Sequence, residues 1–369
     1  MSEEIKKTCL YDRHVALGAQ MSPFAGFDMP IQYSGIVDEH NAVRNACGVF
    51  DVSHMGEVFV EGHDAERFVN HIFTNDVTDM PVGKILYGMM LYENGGTVDD
   101  LLVYRMAPTQ FLLVINAANI DKDVAWIEER AKDAAYDIKI DHASDRYGQI
   151  AVQGPDSEAV LHDVLGIDGE ELGFYTVTTI FADNGEDIIV SRTGYTGEDG
   201  FEIYASHKMI CQFWDALIKS GRAKPCGLGC RDTLRFEVGL PLYGDELSAD
   251  ISPIEAGLGM FVKVDKDEFV GKDAVARQKA EGVERKLVGL ELADRAIPRH
   301  GYAVLNLDGE PIGEVTTGYH AISVDKSVAM AYVKKEYSTL DTEVLVQIRR
   351  RTFIAKVVRK QFFKKSYKK

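Results

Sequence analysis

Along the chain, short apolar runs of period two are cut by Gly, Asn and Asp turn signals. GEVFVEG (56–62), ILYGMML (85–91), VDDLLVY (98–104), FLLVI (111–115), GQIAVQG (148–154), DIIVSR (187–192) and GFEIYA (200–205) read as strands. Helical spacing is rarer. Asp38 to Ala46 reads as a short helix closed by Gly48 after Cys47, and Asp64 and Asp121 stand where they would cap AERFVNHIF and DVAWIEERAKDAA. His207 to Ser220 is the best amphipathic helix: Ile210, Phe213, Trp214, Leu217 and Ile218 recur on one face, and Gly221 sits at the C-cap position. Strand pairs followed by single helices predict an α+β protein with mainly antiparallel sheets.

After Gly282 the texture changes to short strands without a convincing helix: KLVGLEL, EPIGEVTTG, SVAMAYV, EVLVQIR and TFIAKVV. That pattern predicts a small β-barrel or sandwich over residues 281–369, with residues 1–280 forming the rest and the boundary between Arg277 and Lys286.

Within the strands, Val98–Tyr104 poses a chemical problem. Side chains alternate, so Asp100, Leu102 and Tyr104 share one face and Asp99, Leu101 and Val103 the other. Both faces are apolar, so a carboxylate there must be paired, hydrogen-bonded or protonated. It is either a strand-end aspartate holding turn amides or an acid, base or ligand anchor at a cavity mouth. SRTGYTGEDGFEIY (191–204) is too long for a two-residue turn and either makes a plain hairpin loop or offers backbone amides to a ligand. In GLGCRDTLRFE (227–237) Arg231, Asp232 and Arg235 suit an ion pair between helices as well as a ligand clamp. His54 stands alone in DVSHMGE and reads first as a hydrogen-bonded structural residue.

Length and composition narrow the classes. At 369 residues the chain exceeds one ordinary domain, and 46% hydrophobic with 27% charged residues is typical of a globular protein. No apolar run approaches the ~20 residues that span a bilayer, and the N-terminus lacks an apolar signal region. The expected location is the cytoplasm, or the mitochondrial matrix for a processed eukaryotic form, with no membrane association. A net charge of -17 disfavours nucleic acid, although residues 349–369 carry ten Lys or Arg and no acid. That segment reads as a solvated tail or as a basic edge for an acidic partner. Five scattered cysteines make no disulfide framework, and Cys226 and Cys230 lack the second pair a zinc site needs; no metal is expected. GxGxxG, GxxxxGK[ST], HExxH and GxSxG are missing, which removes the usual nucleotide, zinc-protease and serine-hydrolase readings.

Taken in order, MSPFAGFDMPIQY, GVFDVSHMGE, GGTVDDLLVYR, VQGP, SRTGYTGEDGFEI, GLGCRDTLRFEVGLPLYGDEL and SPIEAGLG resemble the aminomethyltransferase, or T-protein, family of the glycine cleavage system. The likeness runs from about Leu10 to Phe363. It implies three domains around a central channel, the last a small barrel. It also implies transfer of a one-carbon unit from the aminomethyl-dihydrolipoyl arm of lipoylated H-protein to tetrahydrofolate, giving 5,10-methylenetetrahydrofolate and ammonia. By the same resemblance Asp100 is the catalytic carboxylate, and Met55, Tyr87, Tyr104, Asn116, Tyr195, Glu202 and Arg231 contact the folate. Asp99 is the structural neighbour that holds the turn. Where many bacterial relatives end in a Pro-Phe-Tyr-Arg-like run, this chain has Gln361-Phe362-Phe363-Lys364, so a basic residue remains at Lys364 without a guanidinium fork. Two other readings share the fold: a different tetrahydrofolate-dependent methyltransferase or demethylase, and a non-catalytic folate-binding module. The intact Asp99-Asp100 pair speaks against the latter.

Overall fold

The computed structural model describes residues 5–367. Tyr11–Ala16 (α1) leads to a hairpin of Gln20–Phe24 (β1) and Phe27–Gln32 (β2), then Ile36–Asn45 (α2), Gly48–Asp51 (β3) and Gly56–Glu61 (β4). Ala65–Ile72 (α3) precedes Ile85–Leu91 (β5), Thr97–Ala107 (β6), Gln110–Ile115 (β7), Ile120–Arg130 (α4) and Lys139–His142 (β8). Next come Tyr147–Gln153 (β9), Ser157–Leu165 (α5), Val177–Phe181 (β10), Asp187–Ser191 (β11), Gly200–Ser206 (β12), His207–Ser220 (α6), Lys224–Cys226 (β13) and Leu228–Glu237 (α7). After Lys272–Glu281 (α8) the remaining strands are Arg285–Leu292 (β14), Ala303–Leu305 (β15), Pro311–Ala321 (β16), Lys326–Lys334 (β17), Glu343–Ile348 (β18) and Arg351–Val358 (β19).

Two sheets face each other. One has the order β5-β6-β7-β4-β8, the other β10-β11-β12-β9-β3-β13, and only the β13–β3 pairing is parallel. Period two explains their layering. On β6, Leu101 and Val103 point to α3 and α4 and join Phe68, Val69 and Ile127 in a buried cluster. Leu102 and Tyr104 point the other way and meet Val177, Ile189 and Tyr204 of the second sheet. The second sheet's outer face is covered by α5 and α6, with Trp214, Ile210 and Leu217 packed on Ile150, Val152 and Phe201. Apolar burial on both faces of both sheets is the main source of stability here.

The last six strands close a barrel in the order β14-β17-β16-β15-β18-β19, which removes its edges. Helix α7 joins barrel to body: Phe236 packs with Met330 and Tyr332, and Arg235 reaches Glu246 at 2.7 Å and Thr317 at 3.2 Å. Among the described residues no helix is long and apolar enough to cross a membrane.

Helix α6 has the expected bounds, with the Ser206 hydroxyl accepting from Met209 N and Gly221 left-handed at φ 68°. Three local expectations fail. Gly48 does not close α2 but starts β3, where a Cβ would lie 2.5 Å from Val43 and 2.8 Å from the Cys226 sulfur; close packing requires the glycine. Asp121 lies inside α4, which starts one residue earlier, after Asn119. Asp64 does precede α3, but its carboxylate accepts from Asp137 N at 2.8 Å instead of capping.

Candidate active site

Beside the inter-sheet layer lies a cavity of about 650 Å³, bounded by strands of both sheets, α7, the 192–199 loop and the C-terminal segment. Its floor is the start of β6. Asp100 is half-buried and faces the cavity. The Tyr87 hydroxyl, on the neighbouring strand β5, donates to Asp100 Oδ2 at 2.9 Å, and Asn116 Nδ2 donates to Oδ1 at 3.0 Å. Burial, with the negative charge of Asp99 behind it, pushes the Asp100 carboxyl up to about 7; the two hydrogen bonds oppose that rise only in part.

Asp99 turns inward and is fully buried. It accepts from Asn116 N and Nδ2, both at 2.9 Å, and from Asn119 Nδ2 at 2.7 Å. It therefore fastens the junction of β7 with α4, not the preceding turn, whose Gly96 N–H is taken by Asn94. Asn116 is thus a bridge between the two aspartates as well as a wall residue.

The facing wall is built on β12, β9 and α7. Glu202 Oε2 accepts from Thr193 Oγ1 at 2.5 Å and Oε1 from Gln149 Nε2 at 3.2 Å, while Gln149 Oε1 has no partner among the described residues. Burial raises the Glu202 carboxyl, and Thr193, Arg231 and Gln149 hold it down. Arg231 makes no hydrogen bond or ion pair among the described residues; its guanidinium lies 4.9 Å above the Tyr195 ring and senses Glu202. Arg235, one turn on, is fully engaged with Asp232, Glu246 and the Leu240 carbonyl. The pair of arginines left open by the sequence divides: Arg231 faces the cavity, and Arg235 is structural. The Tyr195 hydroxyl donates to the Pro241 carbonyl. Gly194 keeps this loop close to the sheet, since a Cβ there would fall 2.0 Å from Gln153 Oε1.

Met55, Tyr87, Asp100, Asn116, Tyr195, Glu202 and Arg231 all line this one cavity. Tyr104 does not. It is fully buried between the sheets, its hydroxyl 2.8 Å from that of Tyr204, so the expected direct ligand contact is replaced by a position behind Glu202. Tyr104 does share the face of Asp100, but it lies deeper, under the second sheet.

Several wall residues escaped the sequence reading. His54, weighed as structural, lines the cavity with Nδ1 unpartnered among the described residues, and burial together with Arg231 lowers it to about 4, so it is neutral. Gln149 was signalled only by being polar near the start of an apolar strand. Ala25 and Tyr175, both in the wall, have left-handed backbones at φ 50° and 59°, unusual for non-glycine residues. The basic segment divides: Arg349, Arg350, Arg351, Lys356, Arg359 and Lys364 are exposed, as a solvated segment would be, whereas its end folds back on the body; Lys368 and Lys369 lie outside the described residues. Ser366 N bonds Gly197 O at 2.8 Å, Tyr367 stacks on Phe174 at 4.2 Å, and Lys360 and Lys365 reach the cavity, where burial lowers Lys360 to about 8. Lys364 is exposed and outside the wall.

Comparison with known proteins matches residues 10–266 to the GCVT N-terminal domain and residues 285–364 to the glycine cleavage T-protein C-terminal barrel domain. The chain belongs to the glycine cleavage T-protein family. The aminomethyltransferase of Alkaliphilus oremlandii is 48% identical over 99% of this chain and 100% of its own length, and that of Lysinibacillus sphaericus is 47% identical over the same shares. The crystal structure of the glycine cleavage system aminomethyltransferase T from Bartonella henselae superposes with a TM-score of 0.94 at 34% identity, covering 99% of this chain and 100% of that one. The T-protein fold and its barrel are therefore those of this chain, and the cavity is the place to look for its chemistry.

Proposed function

We propose that this T-protein transfers the one-carbon unit of an aminomethyl-dihydrolipoyl H-protein to tetrahydrofolate, releasing ammonia and dihydrolipoyl H-protein and forming 5,10-methylenetetrahydrofolate. The observation that carries the reading is Asp100: a cavity-facing carboxyl, clamped by Tyr87 and Asn116, in a chain 48% identical to an aminomethyltransferase. The polar atoms of the cavity suit a reduced pterin. Glu202 and the unpartnered Gln149 Oε1 offer acceptors to an amino edge, and the unpaired Arg231 and half-buried Lys365 suit a carboxylate-bearing tail.

When bound, tetrahydrofolate supplies the two nitrogens that take up the carbon, and their two N–H hydrogens leave with the sulfur and the amine. The protein's part is positional and electrostatic. Tyr87 and Asn116 fix the Asp100 carboxyl in one orientation, where its charge stabilises positive charge at the reacting nitrogen and its raised pKa lets it hold a proton near neutrality. Near pH 7 His54 is neutral and Arg231 stays charged, so His54 has no imidazolium proton to give as an acid and, lowered to about 4, is a weak base. Phe24 and Met260 line the cavity yet remain 38% and 72% exposed, which gives its mouth an apolar rim suited to the aliphatic lipoyl arm. The working division is residues 1–280 as the folate-binding region and 281–369 as the barrel, and the working location is the cytoplasm.

Mixing the chain with aminomethylated, lipoylated H-protein tests the reading. Ammonia release that depends on tetrahydrofolate is expected. Release at the same rate without any folate would overturn it.

A further inference from the structure

Tyr104 and Tyr204 place two phenol hydroxyls in the apolar layer between the sheets, where phenylalanines would pack without a polar group to satisfy. Their hydroxyls are 2.8 Å apart, and Tyr104 lies 3.4 Å from Ser191 Oγ. Ser191 Oγ is 2.7 Å from Thr193 Oγ1, which donates to Glu202 Oε2 at 2.5 Å. All five side chains are buried, the most exposed being Glu202 at 6%. Topology explains the line: Ser191 on β11 pairs directly with Glu202 on β12, while Tyr104 reaches across from the opposite sheet.

We propose that Tyr204, Tyr104, Ser191 and Thr193 form a one-way hydroxyl relay that positions the Glu202 carboxylate for the pterin, with Thr193 and Tyr104 as positioning residues. This rests on the folate reading above. An ionised carboxylate only accepts, so Thr193 must donate to it. Each hydroxyl has a single proton, so Thr193 then accepts from Ser191, Ser191 from Tyr104, and Tyr104 from Tyr204. The competing acceptor for Ser191, the Glu202 carbonyl, is more distant at 3.5 Å. Aligned hydroxyls polarise one another, so the far tyrosines strengthen the last bond. With one bond from Thr193 to Oε2 and one from Gln149 to Oε1, the carboxylate is held in one orientation in the cavity wall, and each oxygen keeps a lone pair for a ligand. The relay also couples the sheet that carries Asp100 to the sheet that carries Glu202.

The test compares Thr193→Val, Thr193→Ser and Tyr104→Phe with the wild type, alone and as the Thr193→Val/Tyr104→Phe double variant. Tetrahydrofolate binding is read by calorimetry under anaerobic conditions and KM and kcat with lipoylated H-protein. Thr193→Val should weaken tetrahydrofolate binding and raise its KM about tenfold, the worth of one charge-assisted bond, with kcat within about twofold. Thr193→Ser should return to within about twofold of wild type, and Tyr104→Phe should cost about threefold alone and nothing further beside Thr193→Val. Wild-type affinity in Thr193→Val, no rescue by serine, or an undiminished Tyr104→Phe effect in the double variant would each overturn the relay. Should Thr193→Val fail to fold, an unchanged KM in Tyr104→Phe would do the same. A wild type that binds no tetrahydrofolate would instead overturn the folate reading itself, and the relay with it.

Discussion

Asp99→Asn removes a buried charge without changing shape, and its effect on Asp100 follows from geometry. Both carboxylates receive the same Asn116 Nδ2, at 2.9 and 3.0 Å. The charges are therefore no more than about 6 Å apart, and at an effective dielectric of about 20 they repel by at least roughly 3 kcal/mol, or about two pKa units. Burial, the larger cause of the Asp100 shift to about 7, is untouched by the substitution. If the ionised carboxylate is the working form, kcat/KM for tetrahydrofolate rises with pH through about 7 in the wild type. The sign is fixed: losing the neighbouring negative charge favours ionisation, so the rising limb moves to lower pH, by about one to two units. The assay is ammonia release with lipoylated H-protein from pH 5 to 9, with a melting curve to verify folding, since one of the two oxygens that hold Asn116 and Asn119 becomes an amide nitrogen. A limb that stays put, or moves to higher pH, would refute the coupling.

Asp100→Asn keeps the clamp's shape and loses the charge; kcat should fall about 10²- to 10³-fold with the melting temperature nearly unchanged, and near-normal turnover would remove Asp100 from the centre of the mechanism. Arg235→Ala strands the buried Glu246 carboxylate, which keeps only the Thr316 and Thr317 hydroxyls and a backbone amide as partners, so unfolding free energy should drop by about 3–5 kcal/mol in urea titration, and a loss below about 1 kcal/mol would contradict the structural reading.

The sheets were legible because their periodicity is clean. Leu101 and Val103 alternate with Leu102 and Tyr104, and each set found an apolar layer. Helix α6 was legible from its apolar stripe and its Gly221 C-cap. What alternation cannot supply is the third dimension. It put Asp100 and Tyr104 on one face, but Asp100 opens on the cavity, whereas the second sheet covers Tyr104. Arg231 and Arg235 were indistinguishable in sequence, since their roles depend on Glu246, which follows α7, and on the barrel strand that carries Thr317. The tail was the least legible part. Ten cations without an acid look solvated, yet Ser366 is tied to Gly197 and Lys365 lines the cavity, contacts between segments some 170 residues apart. Gly48 misled because a glycine after a helix resembles a C-cap, while here it admits Val43 and Cys226.

In the proposed reaction every carbon unit taken from the lipoyl arm goes to tetrahydrofolate as the amine and the dithiol are released. A single-turnover experiment tests it most directly, with this chain in excess over aminomethylated H-protein and tetrahydrofolate present. The account predicts equal amounts of ammonia, 5,10-methylenetetrahydrofolate and dihydrolipoyl thiol, appearing together. Ammonia formed without a matching amount of methylenetetrahydrofolate would contradict it.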